Sequence, residues 1–115
     1  MDVESLRKVC LSFPAVQESI KWEADLAFTI GEKMFCVTSF EEPFKCSFKV
    51  QDDQFDELTG REGFIPAPYL ARAKWVMVSN EARLSKAEWE THLRTSYNLI
   101  AAKLTKKQRS LLGIS

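Results

Sequence analysis

Residues Gly63 to Val78 read GFIPAPYLARAKWVMV, and this stretch shows most clearly how the chain is organised. Pro66 and Pro68 each hold φ at about −65° and lack a backbone N–H, so the segment from Ile65 to Pro68 cannot form a helix interior or a central strand. The apolar run that follows, Trp75 to Val78, predicts a buried strand. The stretch therefore predicts a rigid loop that leads into a sheet.

This loop and the start of the strand carry two basic and two aromatic side chains. Arg72 and Lys74 are basic, whereas Tyr69 and Trp75 are aromatic. The loop is either a crossover that Tyr69 and Trp75 anchor in the core, or a surface that contacts a ligand or a nucleic acid. Composition alone does not distinguish these two interpretations.

Length and composition predict one globular domain that spans residues 1–115. Of the 115 residues, 45% are hydrophobic and 11% aromatic, and a chain of this size can bury one core but not two. No apolar run approaches the roughly 20 residues of a membrane span, and the N-terminal residues lack an apolar signal segment. We therefore expect a cytoplasmic protein.

The net charge is zero, but the charges are unevenly distributed. Residues 1–40 carry four basic and six acidic side chains, residues 41–62 carry three and seven, and residues 63–115 carry nine and three. The net charges of these segments are therefore −2, −4 and +6. Because phosphate neutralisation supplies much of the affinity for nucleic acids, zero net charge argues against such binding, whereas the basic C-terminal half favours it.

Capping residues predict where the longer helices begin. Asp2 is placed as the N-cap of a first helix that Pro14 ends. A capping box over residues 85–88 begins a long helix, and another over residues 105–108 begins a final helix spanning Lys106 to Leu112. The stripe of the long helix that should pack on the sheet consists of Trp89, Leu93, Tyr97, Ile100 and Leu104.

Residues Leu26 to Val50 predict a three-stranded antiparallel meander. The pair Gly31-Glu32 fits a type II′ turn, which would place Phe28 opposite Phe35. With an even-numbered second turn, the predicted core face consists of Leu26, Phe28, Phe35, Val37, Cys46, Phe48 and Val50. The opposite face, which we expect to be partly covered or used for binding, consists of Ala27, Thr29, Met34, Cys36, Thr38, Lys45, Ser47 and Lys49.

The three cysteines are Cys10, Cys36 and Cys46, an odd number with no CxxC pair. This pattern favours reduced, buried thiols over a disulfide framework. The strand alternation places Cys36 and Cys46 on opposite faces of the meander, where they cannot form a disulfide without movement of the backbone.

The sequence contains no recognised catalytic or cofactor motif. It has no phosphate loop, no glycine-rich dinucleotide turn and no GxSxG segment. The one histidine, His92, has no second ligand at a metal-binding spacing. The acidic run between Asp52 and Leu58 is typical of a short helix with an aspartate cap and a solvated face. We therefore expect no enzymatic activity, no cofactor and no metal site.

Two groups of cations are candidates for binding anions. Lys45 and Lys49 project from one face of a predicted hairpin with Ser47 between them, an arrangement that suits phosphate contacts. The second group lies at the junction of the last two helices and consists of Lys103, Lys106, Lys107 and Arg109. Backbone N–H groups at the Thr105 cap also favour anions there. The alternative for each group is an ordinary solvated face.

Several segments carry a family resemblance. They are Gly31-Glu32-Lys33-Met34-Phe35, Ser47-Phe48-Lys49, Pro66-Ala67-Pro68-Tyr69-Leu70 with Trp75-Val76, Ser96-Tyr97, and Lys103-Leu104-Thr105-Lys106-Lys107. On these segments the chain resembles the MmcQ/YjbR-like family of small bacterial proteins. The resemblance implies a CyaY-like α+β sandwich, with helices on one face of an antiparallel sheet. It also implies a DNA-binding protein with a double-wing motif.

The leading hypothesis is therefore a non-catalytic accessory protein that binds duplex DNA weakly and with little sequence preference. The residues expected to contact phosphates are Lys45, Lys49, Arg72, Lys74, Lys103, Lys106, Lys107 and Arg109. The alternative is a module that binds a small molecule or a protein in a pocket between the proline loop and the open sheet face. The residues of that pocket would be Met34, Cys36, Thr38, Tyr69 and Trp75.

Overall fold

The computed structural model describes residues 1–22 and 24–114 of the chain. Its strands are β1 (Gln17–Lys21), β2 (Asp25–Ile30), β3 (Lys33–Ser39), β4 (Lys45–Lys49), β5 (Phe64–Pro66) and β6 (Trp75–Ser79). Its α-helices are α1 (Val3–Leu11), α2 (Phe55–Thr59), α3 (Lys86–Ala101) and α4 (Lys106–Leu111). The strands form one antiparallel sheet in the order β1-β2-β3-β4-β6-β5, which confirms the predicted α+β class.

The core lies between the sheet and the helices α1 and α3. The helix α1 buries Leu6, Val9 and Cys10, and the whole predicted stripe of α3 with the following Leu104 is buried. Aromatic contacts join the two layers, since the ring of Phe48 lies 6.3 Å from that of Trp89. This arrangement is the two-layer sandwich with helices on one face that the sequence predicted.

The predicted helix caps are confirmed at three of the four helices. The side chain of Asp2 accepts a hydrogen bond from the backbone N–H of Ser5 at 2.8 Å, and α3 and α4 each begin with a complete capping box. The predicted aspartate cap at Asp52 is wrong. The residues Asp52–Gln54 form a 3-10 turn that no side chain caps, and α2 follows directly.

The predicted register of the meander is wrong beyond the first turn. Gly31 and Glu32 both have positive φ, at 57° and 69°, which makes the turn type I′ rather than II′. Thr29 then pairs with Met34, but Phe28 pairs with Cys36, so that Phe35 is an extra residue in β3. A bulge of this kind shifts every later side chain of the strand to the other face.

Because of the bulge, three residues of β3 lie on the face of the sheet opposite to the predicted one. Cys36 and Thr38, which the sequence placed on the open face, lie on the helix side and are buried. Val37, predicted to lie in the core, is half-buried and faces away from the helices. Cys36 and Cys46 consequently share a face, with 3.3 Å between their sulfur atoms, so the prediction that they point to opposite faces is wrong. The prediction of free, buried thiols is confirmed.

The stretch from Gly63 to Val78 supplies an edge hairpin and the loop between its strands. Pro66 lies in the edge strand β5, where its missing N–H removes no inner ladder bond. Trp75 is buried, whereas Tyr69 is fully exposed. The predicted aromatic anchor is therefore Trp75 alone. In the part of the chain that the structure describes, no helix is long and apolar enough to cross a membrane.

Candidate nucleic-acid interface

The candidate site lies where β4 ends and β6 begins. The ammonium group of Lys49, the last residue of β4, donates a hydrogen bond to the carbonyl oxygen of Ala73. The backbone N–H of Val50 donates to the carbonyl oxygen of Lys74 at 2.9 Å. These two bonds hold the loop that precedes β6 against the end of β4.

Three lysines converge at this point. Burial lowers the pKa of Lys49, and the nearby positive charges of Lys103 and Lys74 lower it further, while Asp52 acts in the opposite direction. Lys74 has φ of 63°, in the left-handed region, and its ammonium group lies 5.0 Å from the centre of the Phe55 ring. The site therefore brings like charges together from three separate segments of the chain.

A shallow cleft of about 670 Å³ lies beside Lys49 and Lys103. Gln51, Asp52 and Asp53 also line this cleft. An anion that binds Lys49 and Lys103 in this cleft would therefore be bordered by two carboxylates, whose negative charge weakens its binding.

Three further predicted cations lie close to these lysines along the chain. Arg72 precedes Lys74 by two residues in the short 3-10 turn Ala71–Ala73. Lys106 and Lys107 follow Lys103 by three and four residues, which limits their Cα atoms to within about 11 and 14 Å of it. We call Lys49, Arg72, Lys74, Lys103, Lys106 and Lys107 together the basic end.

The other two predicted cations lie elsewhere. Lys45 is at the opposite end of β4, about 14 Å from Lys49 along the strand. Arg109 lines a separate cleft of about 390 Å³ together with Arg94 and Tyr97. Of the eight predicted phosphate contacts, the structure thus brings Lys49, Lys74 and Lys103 together, whereas Arg72, Lys106 and Lys107 are near them along the chain and Lys45 lies at the other end of β4.

The five residues of the alternative pocket do not line a common cavity. Cys36 and Thr38 are buried on the helix side of the sheet, because the bulge at Phe35 reverses their direction. Tyr69 is fully exposed, whereas Trp75 is buried. The open sheet face thus lacks two of the side chains on which that pocket depends.

Sequence reasoning missed two polar residues of α3. Arg94 lies over the ring of Phe13, with 4.5 Å between its guanidinium carbon and the ring centre. Ser96 is buried and bonds to the backbones of β3 and β4. Ser96 lies three residues after Leu93 and four before Ile100, and this spacing from the buried stripe was the signal that it faces the protein. Arg94 is exposed but lies three residues before Tyr97, beside the same stripe.

Within residues 1–22 and 24–114, no three histidine, cysteine, aspartate or glutamate side chains lie close enough together to hold an ion. His92 is half-buried and stacks on Phe48, with 5.6 Å between the ring centres. Burial lowers the pKa of His92, and Arg61 lowers it further, against the opposing effect of Glu88. This shift favours the neutral form of the imidazole, which packs half-buried against Phe48.

Comparison with known proteins identifies similar solved structures and a family model that matches the chain. A crystal structure of the Deinococcus radiodurans protein DR2400, which has a DUF419 family domain, superposes with a TM-score of 0.87 at 27% identity over 99% of this chain and 89% of that one. A crystal structure of a Pseudomonas syringae protein superposes with a TM-score of 0.74 at 16% identity, over 87% and 99% of the two chains, and shows the same fold. No curated protein matches the chain. Because the YjbR family model matches residues 11–99, the chain belongs to the YjbR family.

Proposed function

We propose that the protein is a non-catalytic, weakly binding DNA-associated protein that contacts phosphate groups through its basic end. The observation that carries this proposal is the convergence of Lys49, Lys74 and Lys103 from three distant segments. Cations without acidic partners repel each other, and a polyanion that binds them removes this repulsion.

The pattern of ion pairs supports the proposal. In residues 1–22 and 24–114, both salt bridges belong to Arg7, which binds Glu4 and Glu18. The cations of the basic end therefore form no salt bridge within the described residues, although Lys49 donates a hydrogen bond to Ala73 and Lys74 lies over the ring of Phe55. Lysine binds phosphate as a point charge, so these contacts position the protein without reading bases.

The expected binding mode is weak and depends strongly on salt. Each phosphate contact contributes about −0.9 to the slope of log K against log salt concentration, so six contacts at most give a slope of about −5. Asp52 and Asp53 border the cleft at Lys49 and reduce the potential there. We therefore expect a slope nearer −3 and little preference for sequence.

The test is fluorescence anisotropy with a labelled random 20-base-pair duplex across a salt series. The variant combines Lys103→Glu and Lys106→Glu, at two exposed positions of the basic end, and should weaken binding to every duplex and reduce the slope by about 2. The matched control is Lys21→Glu, an exposed lysine on the far edge strand β1, which should leave the affinity within about twofold.

Two further results decide the proposal. Absence of binding by the wild-type protein at low salt, where charges are least screened, would rule out DNA as the ligand. If the loss of binding free energy in Lys21→Glu is half of that in the Lys103→Glu/Lys106→Glu double variant, which changes the net charge twice as much, binding follows net charge and not the basic end.

A further inference from the structure

A second surface lies along β1, at the edge of the sheet far from β5 and β6. In the described sheet β1 has β2 on one side only, and four of its five residues are exposed. An edge strand presents unpaired backbone N–H and C=O groups that another extended segment can bind. Glu18 is the half-buried exception, because Arg7 of α1 binds its carboxylate at 2.8 Å.

A groove of about 800 Å³ runs beside this edge, between α1, β1 and the residues that follow β3. Its apolar lining consists of Val3, Ile20, Leu26 and Phe40. Ile20 is 65% exposed and Phe40 is 52% exposed, and both lie on the surface of a protein that buries most of its other large apolar side chains. Exposed apolar side chains grouped around a groove mark an interaction site.

The rim of the groove is acidic. It carries the four carboxylates of Asp2, Glu4, Glu18 and Glu42, against the single guanidinium of Arg7. Arg7 is bound by Glu4 at 3.1 Å and by Glu18 at 2.8 Å, so the net charge of the rim is −3 and its cation is already paired. This charge repels nucleic acid and is the opposite of that at the basic end.

We propose that this β1 groove binds an extended segment of a protein partner in which basic and apolar residues alternate, and that the segment adds a strand beside β1. Every second side chain of an added strand points to the same face of the sheet. The apolar residues of the partner segment, which occupy every second position, therefore all lie on one face and cover Ile20 and Phe40. Basic residues near them reach the carboxylates of Asp2 and Glu42 at the rim, neither of which binds Arg7.

A second copy of this chain fits the β1 groove less well. Pairing two β1 strands edge to edge brings together two rims that each carry a charge of −3. Like charges at an interface are unfavourable, whereas a basic segment neutralises the rim. Charge complementarity therefore selects a basic partner over self-association.

The experiment uses the whole protein and an acetylated, amidated seven-residue peptide in which arginine and valine alternate. Binding is followed by amide chemical shifts of the ¹⁵N-labelled protein. Two control peptides have glutamate in place of arginine, or a methyl group on every backbone nitrogen. We expect the first peptide alone to shift the amides of Gln17 to Lys21 and to bind less tightly as salt is added.

Matched protein variants locate the contact. Glu42→Lys at the rim should weaken peptide binding about five- to tenfold, because a charge reversal replaces a surface attraction by a repulsion. Glu41 is an exposed acid outside the groove, and Glu41→Lys should change the logarithm of the peptide dissociation constant by less than half as much as Glu42→Lys does. Ile20→Ser should weaken binding, whereas Leu111→Ser, at an exposed site on α4, should not.

Several results would overturn the proposal. Equal binding of the methylated peptide would exclude strand addition, and equal binding of the glutamate peptide would exclude charge recognition. If the protein sediments as a dimer and Ile20→Ser abolishes the dimer, the groove binds a second copy of this chain. Failure of the arginine peptide to shift the β1 amides at millimolar concentration would show that the edge binds no such segment.

Discussion

The hydroxyl group of Ser96 donates a hydrogen bond to the backbone carbonyl oxygen of Phe35 at 2.6 Å. The hydroxyl oxygen of Ser96 in turn accepts a hydrogen bond from the backbone N–H of Lys49 at 2.9 Å. Phe35 is the extra residue of the β3 bulge, and Lys49 ends the neighbouring strand at the basic end. A single buried side chain of α3 thus satisfies backbone groups that the irregular sheet leaves unpaired.

Replacement of Ser96 by alanine should destabilise the protein by about 2–4 kcal/mol. The change leaves one buried carbonyl and one N–H without partners, and each unsatisfied buried group costs about 1–3 kcal/mol. Urea unfolding measures the loss. Ser110→Ala, at an exposed position of α4, is the matched control and should stay within about 0.5 kcal/mol. A loss at Ser96 no larger than at Ser110 would contradict the bridging role.

Replacement of Phe48 by alanine should cost about 3–5 kcal/mol, because its ring is fully buried and contacts both Trp89 and His92. The control is Phe40→Ala, which truncates a ring that is largely exposed and should cost less than about 1 kcal/mol. Denaturant midpoints of the two variants test the difference. Similar midpoints would place Phe48 outside the core.

Stability should fall as the pH falls from about 7 to about 5, in part because of His92. Its pKa in the folded protein lies below the ordinary value of 6.5, so the unfolded chain binds the proton more tightly. The neutral imidazole therefore stabilises the fold above pH 6.5, and this contribution is lost as the pH falls towards the lower folded pKa. His92→Gln removes the group, and its unfolding free energy should change less over this range than that of the wild type. Identical pH profiles would refute the assignment.

The three cysteines should resist thiol reagents in the native protein. Burial raises the pKa of the Cys36 thiol well above its ordinary value, and the neighbouring Cys10 and Cys46 raise it further. A thiol reacts as the thiolate, so native protein should react with Ellman's reagent only as fast as it unfolds. In denaturant all three cysteines should titrate as free thiols. A count below three, or fast reaction of the folded protein, would contradict this.

The sequence by itself determined the features that depend on residues close together in the chain. The caps at Asp2, Ser85 and Thr105 act within three residues, so their side chains are sufficient to place the helix ends. The stripe of α3 follows from helical spacing, and the prolines confined Ile65–Pro68 to an edge or a loop. The α+β class followed from these local patterns, and the family followed from the resemblance of particular sequence segments.

The tertiary structure alone decided the register of β3 and the composition of the basic end. The hydroxyl group of Ser96 stabilises the bulge at Phe35, but Ser96 lies 61 residues later in the chain. The residues near the first turn therefore do not predict the bulge. Lys49, Lys74 and Lys103 are likewise distant in the chain and meet only when β4, β6 and α3 pack together. The energy of such contacts depends on which segments become neighbours on folding, whereas the energy of a cap depends on residues that are already neighbours in the unfolded chain.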